Sequence, residues 1–211
     1  MIKNILFDFG NVLIDINIPA SVEALKSIEG IMLDKFELLN SKHNWFNRYE
    51  VGDMTEESFI NAIQRCYKPV PEGQLIKKAI NAMLIGIPAK RLLELEKLRK
   101  DYQVFLVSNT NETHLAWVYR HLKNVHGITD FDERYFNKTY YSHLMGQRKP
   151  NDTFFDYVLK DTKIKTAESL FIDDIAENTA SAKKLGFNVF HHDPQYEIME
   201  ILPSVIKNAS K

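Results

Sequence analysis

Three short apolar runs occur along the chain, at residues 5–7, 104–107 and 170–172, and polar residues follow each of them. The first run belongs to a strand predicted over residues 2–8. Such runs are typical of strands that are buried on both faces of a parallel sheet. Segments with helical spacing separate these runs, and two further strand candidates lie at 135–141 and 189–191. This alternation predicts a doubly wound α/β fold around a parallel sheet.

Residues 16–86 have a different pattern, because their apolar positions are mainly spaced as in helices and no segment has the pattern of a strand. Val22, Leu25 and Ile28, for example, would share one helix face. Pro88 then suits the first turn of a helix where the sheet domain resumes. We therefore predict an α/β core domain formed by residues 1–15 and 87–211, with a small helical domain, residues 16–86, inserted after the first strand.

Composition limits the classes of partner. The chain has 211 residues, of which 45% are hydrophobic and 26% are charged, as in ordinary globular proteins. A formal net charge of −1 gives no electrostatic reason to expect nucleic acid or a membrane surface as a partner. No apolar run approaches the ~20 residues of a membrane span, and no signal peptide is expected before the first strand.

The number of cysteines indicates the cellular compartment in which the protein works. Cys66 is the only cysteine, so no disulfide can form within the chain. A reducing cytoplasm fits this usage, and we expect a cytoplasmic protein. For the oligomeric state, we expect a monomer or a weak dimer.

Four polar motifs follow or separate the predicted strands. They are Asp8 with Gly10, Ser108 with Asn109, Lys149, and the pair Asp173 and Asp174. The carboxyl ends of parallel strands meet at one edge of the sheet, which is where ligands bind in open α/β folds. The sequence therefore predicts one polar site at this edge.

The order of these four motifs resembles that of the haloacid dehalogenase (HAD) superfamily of hydrolases and phosphatases, over nearly the whole chain. The first motif, Asp-x-Gly-Asn-Val at residues 8–12, resembles a bacterial branch that includes an α-D-glucose 1-phosphate phosphatase. The resemblance implies a Rossmann-like core in which residues 16–86 form a helical cap over the site. It also implies a phosphatase whose substrates are small phosphorylated metabolites, with sugar phosphates as one class.

The chemistry of the motif residues suits phosphoryl transfer. Asp8 can act as a covalent nucleophile and form an aspartyl-phosphate. Ser108 can donate a hydrogen bond to a phosphate oxygen, as can the backbone N–H of Asn109 in a loop that leads into a helix. Lys149 supplies a positive charge for the phosphate. The resemblance implies the same roles, with Asp8, Ser108 and Lys149 catalytic and with Ser108, Asn109 and Lys149 binding substrate.

The predicted site has an excess of negative charge. Asp8, Asp173 and Asp174 supply three negative charges and the lysine one positive charge, which leaves −2 before a phosphate binds. An unscreened like-charge pair at ~4 Å costs about 4 kcal/mol at an effective dielectric constant near 20, so a cation such as Mg²⁺ is expected. The resemblance implies that Asp8, the Gly10 carbonyl and the Asp173/Asp174 pair hold Mg²⁺. Asp174 would be the direct ligand if the strand registers match, with Asn178 where many relatives carry a second acid.

Gly10 departs from the family pattern, which mostly has a second Asp there as general acid and base. Glycine cannot transfer a proton, so water or another group would protonate the leaving oxygen, or the reaction is not ester hydrolysis. Two alternatives stay open, a metal-free 2-haloacid dehalogenase-type hydrolase and a non-catalytic HAD-fold binding protein. Asp173 and Asp174 argue against the dehalogenase, since a metal-free site for an anionic haloacid gains nothing from two further carboxylates.

Substrate specificity is expected to lie in residues 43–52, which are dense in aromatic and polar side chains. The resemblance places a similar stretch, with a Glu-x-Gly element, near the site. Trp45, Arg48 and Glu50 are therefore the predicted substrate neighbours. In the alternative interpretation, which stays open, Trp45 and Phe46 pack in the core of the helical domain.

Overall fold

The structure, a computed structural model, describes residues 1–36 and 45–209. The strands are β1 (Asn4–Phe7), β2 (Asp15–Ile16), β3 (Leu84–Gly86), β4 (Gln103–Ser108), β5 (Lys138–Tyr141), β6 (Ser169–Asp173) and β7 (Asn188–His191). Five of them form a parallel sheet in the order β5-β4-β1-β6-β7. The predicted parallel α/β fold is confirmed, with the first strand at the centre of the sheet.

Helices cover both faces of this sheet. The α-helices are α1 (Ile18–Lys26), α2 (Trp45–Glu50), α3 (Glu56–Gln64), α4 (Gly73–Asn81), α5 (Ala89–Asp101), α6 (Glu112–His121), α7 (Phe131–Tyr135), α8 (Ser142–Met145), α9 (Asp152–Thr162), α10 (Ala176–Lys184) and α11 (Ile198–Ala209). A π-helical turn spans Leu122–His126 and a 3₁₀ turn spans Thr166–Glu168. None of the described helices has the length and hydropathy needed to cross a bilayer.

Side chains of the central strand alternate between two apolar cores. Ile5 and Phe7 pack in the core that includes α5, α6 and α11, whereas Leu6 packs in the core that includes α9 and α10. Strands β4 and β6 alternate in the same way. Because both faces are covered, successive residues of these strands are apolar, which explains the unbroken apolar runs in the sequence.

Helices α1 to α4, which lie between β2 and β3 in the chain and are called the inserted helices below, pack around a third apolar cluster. This cluster includes Leu25, Tyr49, Phe59 and Ile63. The division of the chain into a core and an inserted domain at residues 16–86 stays a prediction. The expectation that this stretch contains no strand is wrong at its ends, because β2 pairs antiparallel with β3. Strands of two and three residues are too short to produce an alternating pattern in the sequence.

Arg91 fixes the segment that follows β1. Its side chain is buried, and Nη1 donates to the Leu13 carbonyl at 3.2 Å and to the Asp15 carboxylate at 2.7 Å. The same guanidinium donates to the carboxylate of Glu197, the residue directly before α11, with Nη2 at 3.1 Å. These bonds attach the turn after β1 to the helical layer of the core, and so hold the residues that follow the central strand.

Candidate active site

Three of the predicted polar residues meet at the carboxyl edge of the sheet. Asp8 directly follows β1, Ser108 ends β4 and Asp173 ends β6, and the side chains of all three are buried. The parallel registers place Phe7 beside both Leu106 and Ile172, so these strand ends are level with one another. The sheet thus brings residues that are about 160 positions apart into one site.

Lys149 lies between the two buried carboxylates. Its ammonium Nζ donates to Asp8 Oδ1 at 2.6 Å and to Asp173 Oδ2 at 2.7 Å, and only 1% of the residue is exposed. Burial alone would lower the pKa of Lys149, but the two carboxylates outweigh burial and raise it. The side chain therefore stays protonated and places a positive charge beside the predicted nucleophile.

Burial has the opposite effect on the pKa of Asp8, which it raises. Loss of solvent, together with the nearby charge of Asp173, raises the pKa of its carboxyl to about 7, against the lowering effect of the Lys149 ammonium. A carboxylate must be ionised to act as a nucleophile. The positive charge next to Asp8 consequently favours the ionised form that the predicted nucleophile requires.

Asp173 and Asp174 have different environments although they are adjacent. Both oxygens of Asp173 already accept hydrogen bonds, from Lys149, from the Asn178 amide at 3.0 Å and from the Ile175 backbone N–H at 2.8 Å. Asp174 instead lines a cavity at this edge of the sheet, called the active-site cavity below, which Asp8, Ser108 and Lys149 also line. Asp173 is thus placed to orient Lys149. Asp174 lies where its carboxylate can bind a ligand that enters the cavity.

The side chain of Asn11, in the first motif, has a position that the sequence does not predict. Its amide Nδ2 donates to Asp174 Oδ2 at 2.9 Å, so the first motif orients the fourth. The backbone of Asn11 is left-handed, with φ +54, a conformation that Asn tolerates better than most residues. An Asn directly after Gly10 was a signal for this turn, but the sequence could not show where its amide points.

The three carboxylates could hold a metal ion. Ligand oxygens of Asp8, Asp173 and Asp174 all lie within 4.8 Å of one another. Such a set of oxygen donors suits a hard cation such as Mg²⁺. Gly10 and Asn178, the other residues considered for the metal, also line the cavity.

Asn109 binds Lys149 through its side chain. Its Nδ2 donates to the Lys149 carbonyl at 2.9 Å, and its Oδ1 accepts from the Lys149 backbone N–H at 2.9 Å. The sequence predicts a role only for the backbone N–H of Asn109, as a donor to phosphate. The structure adds a second role, since these two hydrogen bonds fix the backbone from which the lysine side chain extends.

We expect Asn109→Ala to lower both activity and stability. Two hydrogen bonds are worth about 2 kcal/mol together, and a displaced lysine should reduce kcat/KM by about tenfold. Thermal unfolding and steady-state kinetics would measure the two effects. Asn137→Ala is the matched control, because Asn137 Oδ1 accepts from the Val104 backbone N–H at 2.8 Å, at the start of β4 and away from the site. The control should lose stability only, and an equal loss of kcat/KM in both variants would contradict the assignment.

The three predicted substrate neighbours from the inserted helices have different positions. Trp45 and Glu50 line the cavity, and Glu50 forms an ion pair with Arg148 at 3.0 Å. Arg48 is exposed, with its guanidinium 5.9 Å from the centre of the Trp45 ring, and is not among the described cavity residues. Positions 43 and 44 lie outside the described residues. Arg148, the partner of Glu50 in this ion pair, also lines the cavity.

Burial also changes the pKa of Glu50. Loss of solvent raises the pKa of its carboxyl, although the charges of Arg148 and Lys149 oppose this effect.

A second polar contact joins the inserted helices to the core, where the Tyr49 hydroxyl is 2.7 Å from Thr113 Oγ1. The inserted helices are thus attached to the site by polar contacts as well as by packing.

Known proteins resemble this chain over most of its length. A family model for haloacid dehalogenase-like hydrolases matches residues 2–186. The chain is 31% identical over 193 residues to the D-ribitol-5-phosphate phosphatase of Bacteroides thetaiotaomicron, which covers 90% of this chain and 91% of that protein.

Two solved structures are similar as well. One is a HAD family enzyme of Bacteroides thetaiotaomicron in complex with magnesium and inorganic phosphate, with a TM-score of 0.83 and 34% identity over 93% of this chain and 96% of that one. The other is a HAD-like family hydrolase of Porphyromonas gingivalis, with a TM-score of 0.86 and 32% identity over 98% of each chain. The predicted fold and the predicted family thus agree with independent structures.

Proposed function

We propose that this chain, which belongs to the haloacid dehalogenase-like hydrolase family, is a Mg²⁺-dependent phosphatase of small phosphorylated metabolites. The observation that carries the proposal is the position of Lys149, whose ammonium contacts both Asp8 and Asp173 at the strand ends. The magnesium and phosphate in the similar Bacteroides enzyme support it.

The donor set of the site supports Mg²⁺ as the cofactor. We assign Asp8, the Gly10 carbonyl and Asp174 as the residues that hold it, because the oxygens of Asp173 already have partners. When bound, the ion neutralises negative charge at the phosphoryl group. Asn11 and Asn178 orient the two acidic side chains of motif four.

Asp8 is the proposed nucleophile. A carboxylate oxygen of Asp8 bonds to phosphorus while the bond from phosphorus to the leaving oxygen breaks, which gives an aspartyl-phosphate and an alcohol. Water then attacks this intermediate, releases inorganic phosphate and restores Asp8. Ser108 and the backbone N–H of Asn109 would bind phosphate oxygens, while Lys149 neutralises charge and holds Asp8 in place.

The leaving oxygen also needs a proton. Gly10 has no side chain to supply one, so this proton comes from water or from another group of the cavity. Among the described carboxyls of the inserted helices, Glu50 lines the cavity and has a pKa that burial raises. A raised pKa favours the protonated form that a general acid requires.

The substrate is left open within the class of small phosphate esters. D-Ribitol 5-phosphate and α-D-glucose 1-phosphate are the first esters to assay, the former because of the similar Bacteroides phosphatase and the latter because of the Asp-x-Gly-Asn-Val motif. A nucleic-acid partner is not expected from the net charge of −1. The cytoplasmic location stays a prediction, which rests on the single cysteine, Cys66.

A panel of phosphate esters tests the proposal. We expect Mg²⁺-dependent release of inorganic phosphate from at least one ester, and a chelator should lower the rate by at least about tenfold because uncompensated carboxylates repel the phosphate. Added Mg²⁺ should restore the rate. Activity that is undiminished by a chelator would contradict the proposed role of the metal.

Two further measurements distinguish the alternatives. Gly10 motivates the dehalogenase alternative, and release of halide from 2-chloro acids without metal would establish it in place of the phosphatase. Binding of Mg²⁺ and of the phosphate mimic BeF₃⁻, without turnover of any ester, would favour a non-catalytic binding protein. Phosphate release together with no halide release would remove both alternatives.

A further inference from the structure

The active-site cavity extends well beyond the catalytic groups. It has a volume of about 610 Å³, and its described lining runs from Asp8, Ser108 and Lys149 at the strand ends into the inserted helices. A phosphate needs only the part next to Asp8. The remaining space is therefore available to the alcohol that leaves with the substrate.

The described lining of this remaining part of the cavity is mainly apolar. It includes Leu25, Phe36, Phe59 and Ile63, all of which belong to the apolar cluster of the inserted helices. Half-buried side chains packed against that cluster also face the cavity, namely Val22, Trp45 and Phe46. The cavity thus opens into the apolar interior of the inserted helices, where polar groups of a ligand would lose water without replacement.

Among the described residues, the inserted helices offer few polar groups that are free to bind hydroxyls. Their side chains in the described lining that can form hydrogen bonds are Ser21, Trp45 through its indole N–H, Asn47 and Glu50. Ser21 Oγ already donates to the Ala79 and Ile80 carbonyls at 3.0 and 2.9 Å, and Glu50 is paired with Arg148. Among these described residues, a polyol chain would find partners for few of its hydroxyls, and unpaired hydroxyls are unfavourable.

We propose that the preferred substrates are phosphate monoesters of apolar alcohols, whose hydrocarbon part occupies the apolar end of this cavity. This inference rests on the proposed phosphatase function and specifies the class of its leaving group. With about 30 Å³ for each water-sized group, the cavity holds roughly twenty such groups. A phosphate and a hydrocarbon chain of about eight to fifteen carbons would fit that space.

A homologous series of n-alkyl phosphates tests the proposal. With Mg²⁺ and esters kept below their micelle concentrations, kcat/KM should rise at least about twofold per carbon from propyl to octyl phosphate, or roughly thirtyfold in all. Complete transfer of a methylene from water would give about fourfold per carbon, and incomplete contact lowers this value. A flat or falling series, with D-ribitol 5-phosphate or α-D-glucose 1-phosphate as the better substrate, would overturn the inference.

Binding of n-alkyl phosphonates provides a readout that does not depend on turnover. Calorimetric titration with Mg²⁺ present should give a Kd that falls with chain length over the same range. A falling Kd together with no hydrolysis of any ester, including p-nitrophenyl phosphate, would refute the proposed function but support the apolar subsite. A Kd that does not depend on chain length would overturn the subsite even if the phosphatase activity is found.

One substitution locates the subsite. Val22 in α1 is half-buried and lines the cavity, so Val22→Phe should shorten the available space and move the optimum of the series to shorter chains. Val70→Phe makes the same change at a position that is 65% exposed and outside the described lining, and should leave the optimum unchanged. An unchanged optimum in both variants would place the hydrocarbon elsewhere and overturn the assignment.

Discussion

Asp8→Asn is expected to lower kcat/KM by at least about ten-thousandfold on the best ester, because an amide cannot replace a carboxylate as a covalent nucleophile. The variant keeps the size of the side chain and an oxygen that can accept from the Lys149 ammonium, which donates to Asp8 Oδ1 in the native site. Steady-state release of inorganic phosphate with saturating Mg²⁺ measures the effect.

The same variant should fold at least as well as the native protein. Burial raises the pKa of Asp8 to about 7, so the folded protein disfavours the ionised carboxylate that the unfolded chain forms near pH 4. Stability is therefore lost as the pH rises between these two values, and the loss is complete above pH 7. A neutral amide removes this cost, and the melting temperature without metal at pH 8 should be unchanged or higher.

Asp161→Asn is the control for this experiment. Asp161 pairs with Lys138, at the start of β5 and therefore at the end of the sheet opposite to the site. Its substitution should leave kcat/KM within about twofold of the native value. Retention of more than a hundredth of the native activity by Asp8→Asn, in a sample free of native enzyme, would show that Asp8 is not the nucleophile.

The sequence predicted the sheet and the meeting of its polar ends because two simple regularities act together. Both faces of the central strands are buried, so strands such as 104–107 are unbroken apolar runs. Parallel strands all point in one direction, so residues that directly follow them, such as Asp8, lie at one edge. Neither inference requires knowledge of side-chain conformation.

The different environments of the adjacent acids Asp173 and Asp174 could not be predicted from these regularities. They depend on where the Asn178 and Asn11 amides point, and thus on rotamers and on the left-handed turn at Asn11. The pairing of Glu50 with Arg148 joins positions about a hundred residues apart. Periodicity carries no information on such contacts, because each side chain belongs to a different local pattern.

The structure also changes what is expected of Lys149. A lysine exposed to solvent would tolerate substitution, but this ammonium is buried between two carboxylates. Lys149→Met should therefore lower kcat/KM by about a hundredfold or more, since lost stabilisation of a developing charge is worth about 3 kcal/mol. It should also destabilise the fold by about 3–5 kcal/mol, because removal of one partner leaves buried charge without compensation.

Lys149→Arg and Lys138→Met extend this test. Arginine keeps the charge but is larger and planar, so in the space that one ammonium fills it should restore only part of the activity. Lys138→Met removes a lysine from an ion pair with a distance of 2.7 Å that is exposed rather than buried. This control should change stability by about 0.5 kcal/mol at most and leave kcat/KM unaffected.

A double variant separates the catalytic effect of Lys149 from its structural effect. In Lys149→Met the carboxylates of Asp8 and Asp173 face each other without an intervening cation, and this repulsion contributes to the loss of stability. Adding Asp173→Asn removes one of the two charges, so the melting temperature should recover by several degrees. The activity should not recover, because no positive charge remains beside the phosphoryl group. Recovery of kcat/KM to more than half of the native value in the double variant would show that the lysine acts only by holding the fold together.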